Sequence, residues 1–174
     1  MGDFWVFGYG SLMWRPGFNY LECETARIHG LHRALCIYSW VHRGTKERPG
    51  LVLGLDRGGS CLGRAFRVEE KNRDEVIAYL RERELVTNVY VETWRRVQLQ
   101  SGATASALVY ITDRTNPQYA GRLPENALVK QISGASGRSG DNEDYVLKTA
   151  EHLEEIGIED VGLQQVARRL RNAN

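Results

Sequence analysis

Two short stretches carry residues whose types and spacing could do chemistry. One is Gly8-Tyr9-Gly10-Ser11-Leu12 within VFGYGSLMWRPGF, and the other is Glu84 within YLRERELV. Glycines on both sides of Tyr9 let the backbone approach a ligand closely. Successive amides there can form a concave nest for an anion or a developing oxyanion, with Tyr9 as one wall. A tight turn needing positive φ would use the same residues, and the local sequence leaves both open. In a helix, Val76, Leu80 and Glu84 lie one above another at i, i+4 spacing, so a carboxylate continues an apolar stripe. Such a group is either partly buried with a raised pKa or frayed out to pair with Arg81 or Arg83. Glu82 sits roughly 200° away around the helix and faces solvent.

Other chemistries fit less well. Gly8-x-Gly10 begins like a dinucleotide fingerprint, but the third glycine position is Met13, and Pro16 and Gly17 interrupt any helix beyond it. Without a helix N-terminus the pyrophosphate has no seat, and no Gly-Lys-Ser/Thr follows to make a Walker loop. Ser11 lacks the Gly-x-Ser-x-Gly frame of a nucleophile elbow. His29 and His32, three apart in a strand, point to opposite faces, and no His-Glu-x-x-His or Cys-x-x-Cys occurs, so no metal is expected. With 23 Lys and Arg against 22 Asp and Glu, the net charge is +1, which argues against a nucleic-acid surface. Cys23, Cys36 and Cys61 are an odd number without paired spacing, so reduced thiols are expected. No signal peptide, myristoylation motif or membrane-length apolar run is present, and a cytoplasmic location is expected.

The elements that must position these residues read as strands first and helices last. Strands are predicted at FWVFGY from Phe4, ALCIYSW from Ala34, LVLGL from Leu51 and CLGRAFRV from Cys61. A helix from Arg73 to about Leu85 follows, with Asn72 as N-cap and acidic residues in its first turn. Two longer strands, VYVETWRRVQL and ASALVYIT, are joined across Ser101-Gly102. From about residue 125 the chain turns helical. Pro124 suits the first position of a helix running through ENALVKQI, Asn142 caps EDYVLKTAEHLEEI, Gly157 closes that helix, and EDVGLQQVARRLR makes another. One α+β domain over 1–174 is expected, with a largely antiparallel sheet curled like a small barrel by Gly54 and Gly63.

Taken together, VFGYGSLMWRPGF, the HRG at His42, Arg83-Glu84 with Tyr90 six residues on, and SGxxGxNxxY near the end resemble the ChaC-like γ-glutamylcyclotransferases. The motifs occur in order from Trp5 to about Tyr145 and so span most of the chain.

That resemblance implies a small mixed β-barrel with surrounding helices and a cofactor-free enzyme. The activity implied is cleavage of reduced glutathione to 5-oxoproline and cysteinylglycine. Alternatives within the same resemblance are other γ-glutamyl amino acids or amines, or a non-catalytic γ-glutamyl-binding module. The family's catalytic glutamate falls on Glu84, and its γ-glutamyl-binding segment falls on Val6, Phe7, Gly8, Tyr9, Gly10, Ser11 and Leu12. Arg43 is expected either to hold the substrate's α-carboxylate or to form a structural salt bridge. Tyr145, one turn after Asn142, is expected to reach the pocket. Arg138 stands where many relatives carry proline, which bears on the loop that would meet the Cys-Gly half. The oligomeric state is not legible.

Overall fold

The computed structural model describes residues 2–173. Five strands, β1 (Phe4–Gly8), β2 (Glu22–Ser39), β3 (Gly50–Val68), β4 (Tyr90–Leu99) and β5 (Thr104–Thr112), form a closed barrel in the order β1-β3-β2-β4-β5. Antiparallel ladders join β1 to β3, β2 to β4 and β4 to β5, and β1 runs parallel to β5 to complete the closure. Closure leaves β1 paired on both sides, which holds the start of the N-terminal turn rigidly. Helices are α1 (Arg73–Glu84), α2 (Glu125–Ile132), α3 (Asn142–Glu155) and α4 (Val161–Ala173), so the fold is α+β with a mixed sheet.

Residue contacts divide the chain into two units. The first runs up to Arg33 and takes in Leu55–Asp113; the second is Ala34–Gly54 and the chain from Arg114 onward. In the first unit, α1 packs Val76 and Leu80 into a buried cluster with Phe4, Val6, Leu12, Val68, Leu108 and Tyr110. Each of those two helix side chains contributes about 1.5–3 kcal/mol by leaving water. Asn72 stands at the N-cap position of α1, and Asp74 and Glu75 occupy its first turn, where negative charge suits the dipole.

In the second unit, α4 buries Leu163, Val166, Ala167 and Leu170, a helical stripe on one face. Its N-terminus is capped by Asp160, whose Oδ1 accepts from the Leu163 amide at 3.0 Å. Helix α3 buries Val146, Ala150 and Leu153 on the same principle. A two-residue ladder, β6 (Ser136–Gly137) with β7 (Gly140–Asp141), precedes it.

Several expectations need correction. LVLGL and CLGRAFRV are one strand, because the polar stretch between them bends at Gly58 (φ 103°) and Gly59 (φ 63°) without ending the strand. Strand β2 begins at Glu22, well before Ala34, because pairing of Ala26–Ile28 with Val97–Leu99 extends it. Pro124 is the N-cap of α2 and not its first residue. The N-cap of α3 is Asp141, and Asn142 is the first helical residue. Fully buried, Asn142 accepts from the Leu51 amide through Oδ1 (2.7 Å) and donates through Nδ2 to the Leu51 carbonyl (2.8 Å). It therefore imitates a neighbouring strand for one residue.

Removing that amide leaves two buried backbone groups without partners. Asn142→Ala is expected to cost about 2–3 kcal/mol, read as a lower urea midpoint at unchanged slope.

Candidate active site

The N-terminal turn is built from β1. Val6 and Phe7 are buried, so their side chains anchor the strand that carries the turn. A Cβ on Gly63 of β3 would overlap the Gly8 carbonyl, so the two backbones meet only because residue 63 is glycine. Arg33 on β2 donates through Nε to the Tyr9 carbonyl (2.6 Å) and through Nη2 to the Leu62 carbonyl (2.7 Å). Beyond Gly10 the chain makes a 3-10 turn, Ser11–Met13, with the Met13 amide donating to the Gly10 carbonyl at 2.9 Å. A helix-like turn thus does follow the glycines, against expectation. Ser11 and Leu12 place their amides at its N-terminal end, where the turn itself supplies no acceptors. These glycines do not supply positive φ: Gly10 sits at φ −132° and Gly8 lies within β1. Close approach is the role the structure leaves Gly8, since a Cβ there would stand 3.0 Å from that of Leu12.

Glu84 is the last residue of α1, directly after Val76 and Leu80 on the packed stripe, and its side chain is only 19% exposed. Burial raises its pKa, and the neighbouring Arg83 guanidinium partly opposes that rise. Of the two environments foreseen for Glu84, burial is the one found, without loss of the Arg83 pairing. It is largely buried, and Arg83 Nε lies 3.2 Å from its Oε1.

Arg83 also donates through Nη2 to Ser11 Oγ (2.8 Å), and through Nη1 to the Arg15 carbonyl (2.7 Å) and the Tyr79 hydroxyl (3.0 Å). One guanidinium thus connects the N-terminal turn to the carboxylate. Tyr79 can sit there because Gly17 (φ 78°) has no side chain, and a Cβ on it would overlap the Tyr79 hydroxyl.

A second carboxylate lies in a contrasting setting. Glu92 on β4 accepts two hydrogen bonds from Arg81, both 2.8 Å, and one from the Tyr110 hydroxyl at 3.0 Å. The Arg81 bonds, then the Tyr110 bond, hold Glu92 below the usual carboxylate range although partial burial works against them. Burial, the Glu92 bond and charge, and the nearby Glu84 all push the Tyr110 pKa up, so that phenol stays protonated.

Of the remaining predicted binding residues, Tyr9 and Leu12 are buried and Ser11 is exposed. Arg43 and Tyr145 belong to the second unit, where the Arg43 guanidinium stacks 5.3 Å from the Tyr145 ring centroid and donates to the Asp141 carbonyl at 3.3 Å. The Tyr145 hydroxyl accepts from the Leu53 amide at 3.0 Å. No carboxylate partner of Arg43 occurs among the described ion pairs. Sequence reasoning passed over Arg33, Tyr79 and the linking role of Arg83. The i, i+4 spacing of Tyr79 and Arg83 was the one local signal available. Among the described residues, no group of three or more His, Cys, Asp or Glu could hold a metal, and no helix is long and apolar enough to cross a membrane.

A family model for ChaC-like proteins matches residues 4–173. The chain belongs to the ChaC-like family. Among relatives of this ChaC-like chain, the glutathione-specific gamma-glutamylcyclotransferase of Escherichia coli is 36% identical over 165 residues, covering 95% of this chain and 71% of that protein. Gamma-glutamylcyclotransferase 2-3 of Arabidopsis thaliana is 33% identical over 176 residues, covering 97% and 88%. The crystal structure of a yeast gamma-glutamylcyclotransferase specific to glutathione superposes with a TM-score of 0.83 at 24% identity, over 98% of this chain and 99% of that one. This last likeness establishes the shared fold.

The two carboxylates of the ChaC-like chain are expected to titrate on opposite sides of the ordinary glutamate value. Carbon-13 NMR of the side-chain carboxyls across the acid range should place Glu84 above it and Glu92 below it.

Proposed function

We propose that this protein is a γ-glutamylcyclotransferase that cleaves glutathione to 5-oxoproline and cysteinylglycine, with Glu84 as the general acid and base. Family membership and the names of the relatives support the reaction. The observation that carries the site is a largely buried glutamate held on the same guanidinium as the Ser11 turn.

In the reaction, the substrate's α-amine attacks its own γ-carbonyl. A carbon–nitrogen bond forms to close the five-membered ring, and the bond from the γ-carbonyl carbon to the cysteine nitrogen breaks. Because nucleophile and electrophile share one molecule, the site needs only to fold the glutamyl chain into attack geometry. The amine must lose a proton to attack, and a carboxylate whose burial raises its pKa is suited to accept one near neutral pH. Glu84 then returns a proton to the departing nitrogen. The tetrahedral intermediate bears an oxyanion, and the Ser11 and Leu12 amides are the donors we assign to it. For Arg43 and Tyr145 the proposal rests on residue type: a guanidinium fork suits a carboxylate, and a phenol can donate one hydrogen bond. A cytoplasmic location is part of the same reading, since reduced glutathione is maintained there.

Glu84→Gln is expected to abolish 5-oxoproline release from reduced glutathione while keeping the fold. Burial raises the folded-state pKa of Glu84, so as pH rises the unfolded chain releases this proton first. The ionised carboxylate then weakens the fold above the ordinary glutamate range. At neutral pH the variant should therefore melt no lower than the parent. Near-parental turnover by Glu84→Gln would end the mechanism, and no 5-oxoproline from the parent protein would end the assignment.

A further inference from the structure

The last turn of α1 holds two arginines, and they are used differently. Arg81 is 58% exposed and pairs with Glu92. Arg83 is 20% exposed, and its hydrogen bonds reach back to residues 11, 15 and 16, near the start of the chain. A cation in this turn suits the helix dipole from either position, so the dipole does not explain why Arg83 is drawn inward. Its contacts do. Nη1 holds the Arg15 and Pro16 carbonyls and the Tyr79 hydroxyl, Nη2 holds Ser11 Oγ, and Nε faces Glu84.

A guanidinium only donates, so Ser11 Oγ must accept from it. The Ser11 hydroxyl proton is thereby directed away from Arg83, and the side chain is exposed. The Ser11 carbonyl is occupied too, accepting from the Arg15 amide at 2.8 Å. Ser11 thus presents one outward donor on a turn fixed at both its side chain and its backbone.

We infer that Arg83 is a positioning residue that sets the Ser11 hydroxyl and the Glu84 carboxylate in one frame, with the Ser11 proton turned out to donate to the γ-glutamyl group. This inference rests on the proposed cyclotransferase reading. The groups around Glu84 are Arg83 in contact with it, Tyr110 on β5 within electrostatic range, and the Arg81–Glu92 pair that shares the Tyr110 hydroxyl proton. Tyr110 is protonated and Glu92 is neutralised by Arg81, which leaves Arg83 as the charge that opposes the burial of Glu84.

The test uses the full chain with Arg83→Gln, Arg83→Lys, Ser11→Ala and the Arg83→Gln/Ser11→Ala pair. Arg83→Gln should lower kcat roughly ten- to a hundredfold, as expected when reacting groups lose their alignment. It should also move the acid limb of the kcat/KM profile to higher pH. Arg83→Lys should hold that limb in place, because it keeps the charge, but should recover only part of kcat, because it lacks the fork. Ser11→Ala should cost much less in the Arg83→Gln background than alone, since the two act as one unit. If Arg83→Gln does not fold, Arg83→Lys decides: a parental kcat overturns the inference. So do an unmoved limb in Arg83→Gln and additive effects in the pair. Two readouts need no turnover, namely amide exchange over residues 11–15 and NMR titration of Glu84. Faster exchange and a higher Glu84 midpoint in Arg83→Gln support the frame, and no change in either overturns it. A parent protein that does not cleave glutathione overturns the cyclotransferase reading, while these two readouts still decide the frame.

Discussion

The candidate site depends on the docking of one short helix. Helix α1 has 12 residues, too few to be stable alone in water, so burial of Val76 and Leu80 against the barrel must hold it. That same packing removes Glu84 from solvent, because helical spacing puts it next on the stripe. The carboxylate is held in a poorly hydrated place by the cooperative packing of the residues before it. Interactions made by the carboxylate itself are too few to do this.

Two glutamates a few residues apart in sequence then acquire opposite characters. Glu92 accepts three hydrogen bonds from Arg81 and Tyr110 and favours the charged form. Glu84 has one guanidinium neighbour and is largely buried, so the neutral form gains. Such environments push two carboxylates apart: burial favours the neutral form of one, and hydrogen bonds favour the charged form of the other. Tyr110 marks the boundary, because its hydroxyl donates to Glu92 and stays protonated, and so adds no negative charge beside Glu84.

Burying an ionisable group costs stability, and the surrounding structure offsets that cost locally. Arg83 supplies compensating charge, Arg33 and Gly63 hold the turn from the strands beneath, and the closed barrel pairs β1 on both sides. The N-terminal turn is therefore preorganised before any substrate arrives. Preorganisation matters for oxyanion donors, since donors that must reorient during the reaction lose much of their electrostatic benefit.

Local patterns were legible in the linear chain. The Val76-Leu80-Glu84 stripe, the acidic first turn of α1, the helical final third and the glycines around Tyr9 all follow from spacing and residue type, which act over a few residues. Tertiary pairing decided the rest. A polar stretch through Gly58 and Gly59 reads as a turn, yet it lies inside one long strand. Asn142 reads as a cap, yet it serves as a strand mimic for Leu51, because its partners come from 91 residues away. Arg83 and Glu84 are neighbours in any conformation of the chain. That Arg83 also holds Ser11, Arg15 and Pro16 depends on where β1 exits the barrel and where Gly17 lets Tyr79 stand. By itself the sequence determined which carboxylate would continue an apolar face and where glycines flank Tyr9. Only the fold decided that these features share one guanidinium, because a hydrogen bond depends on distance in space and not on separation along the chain.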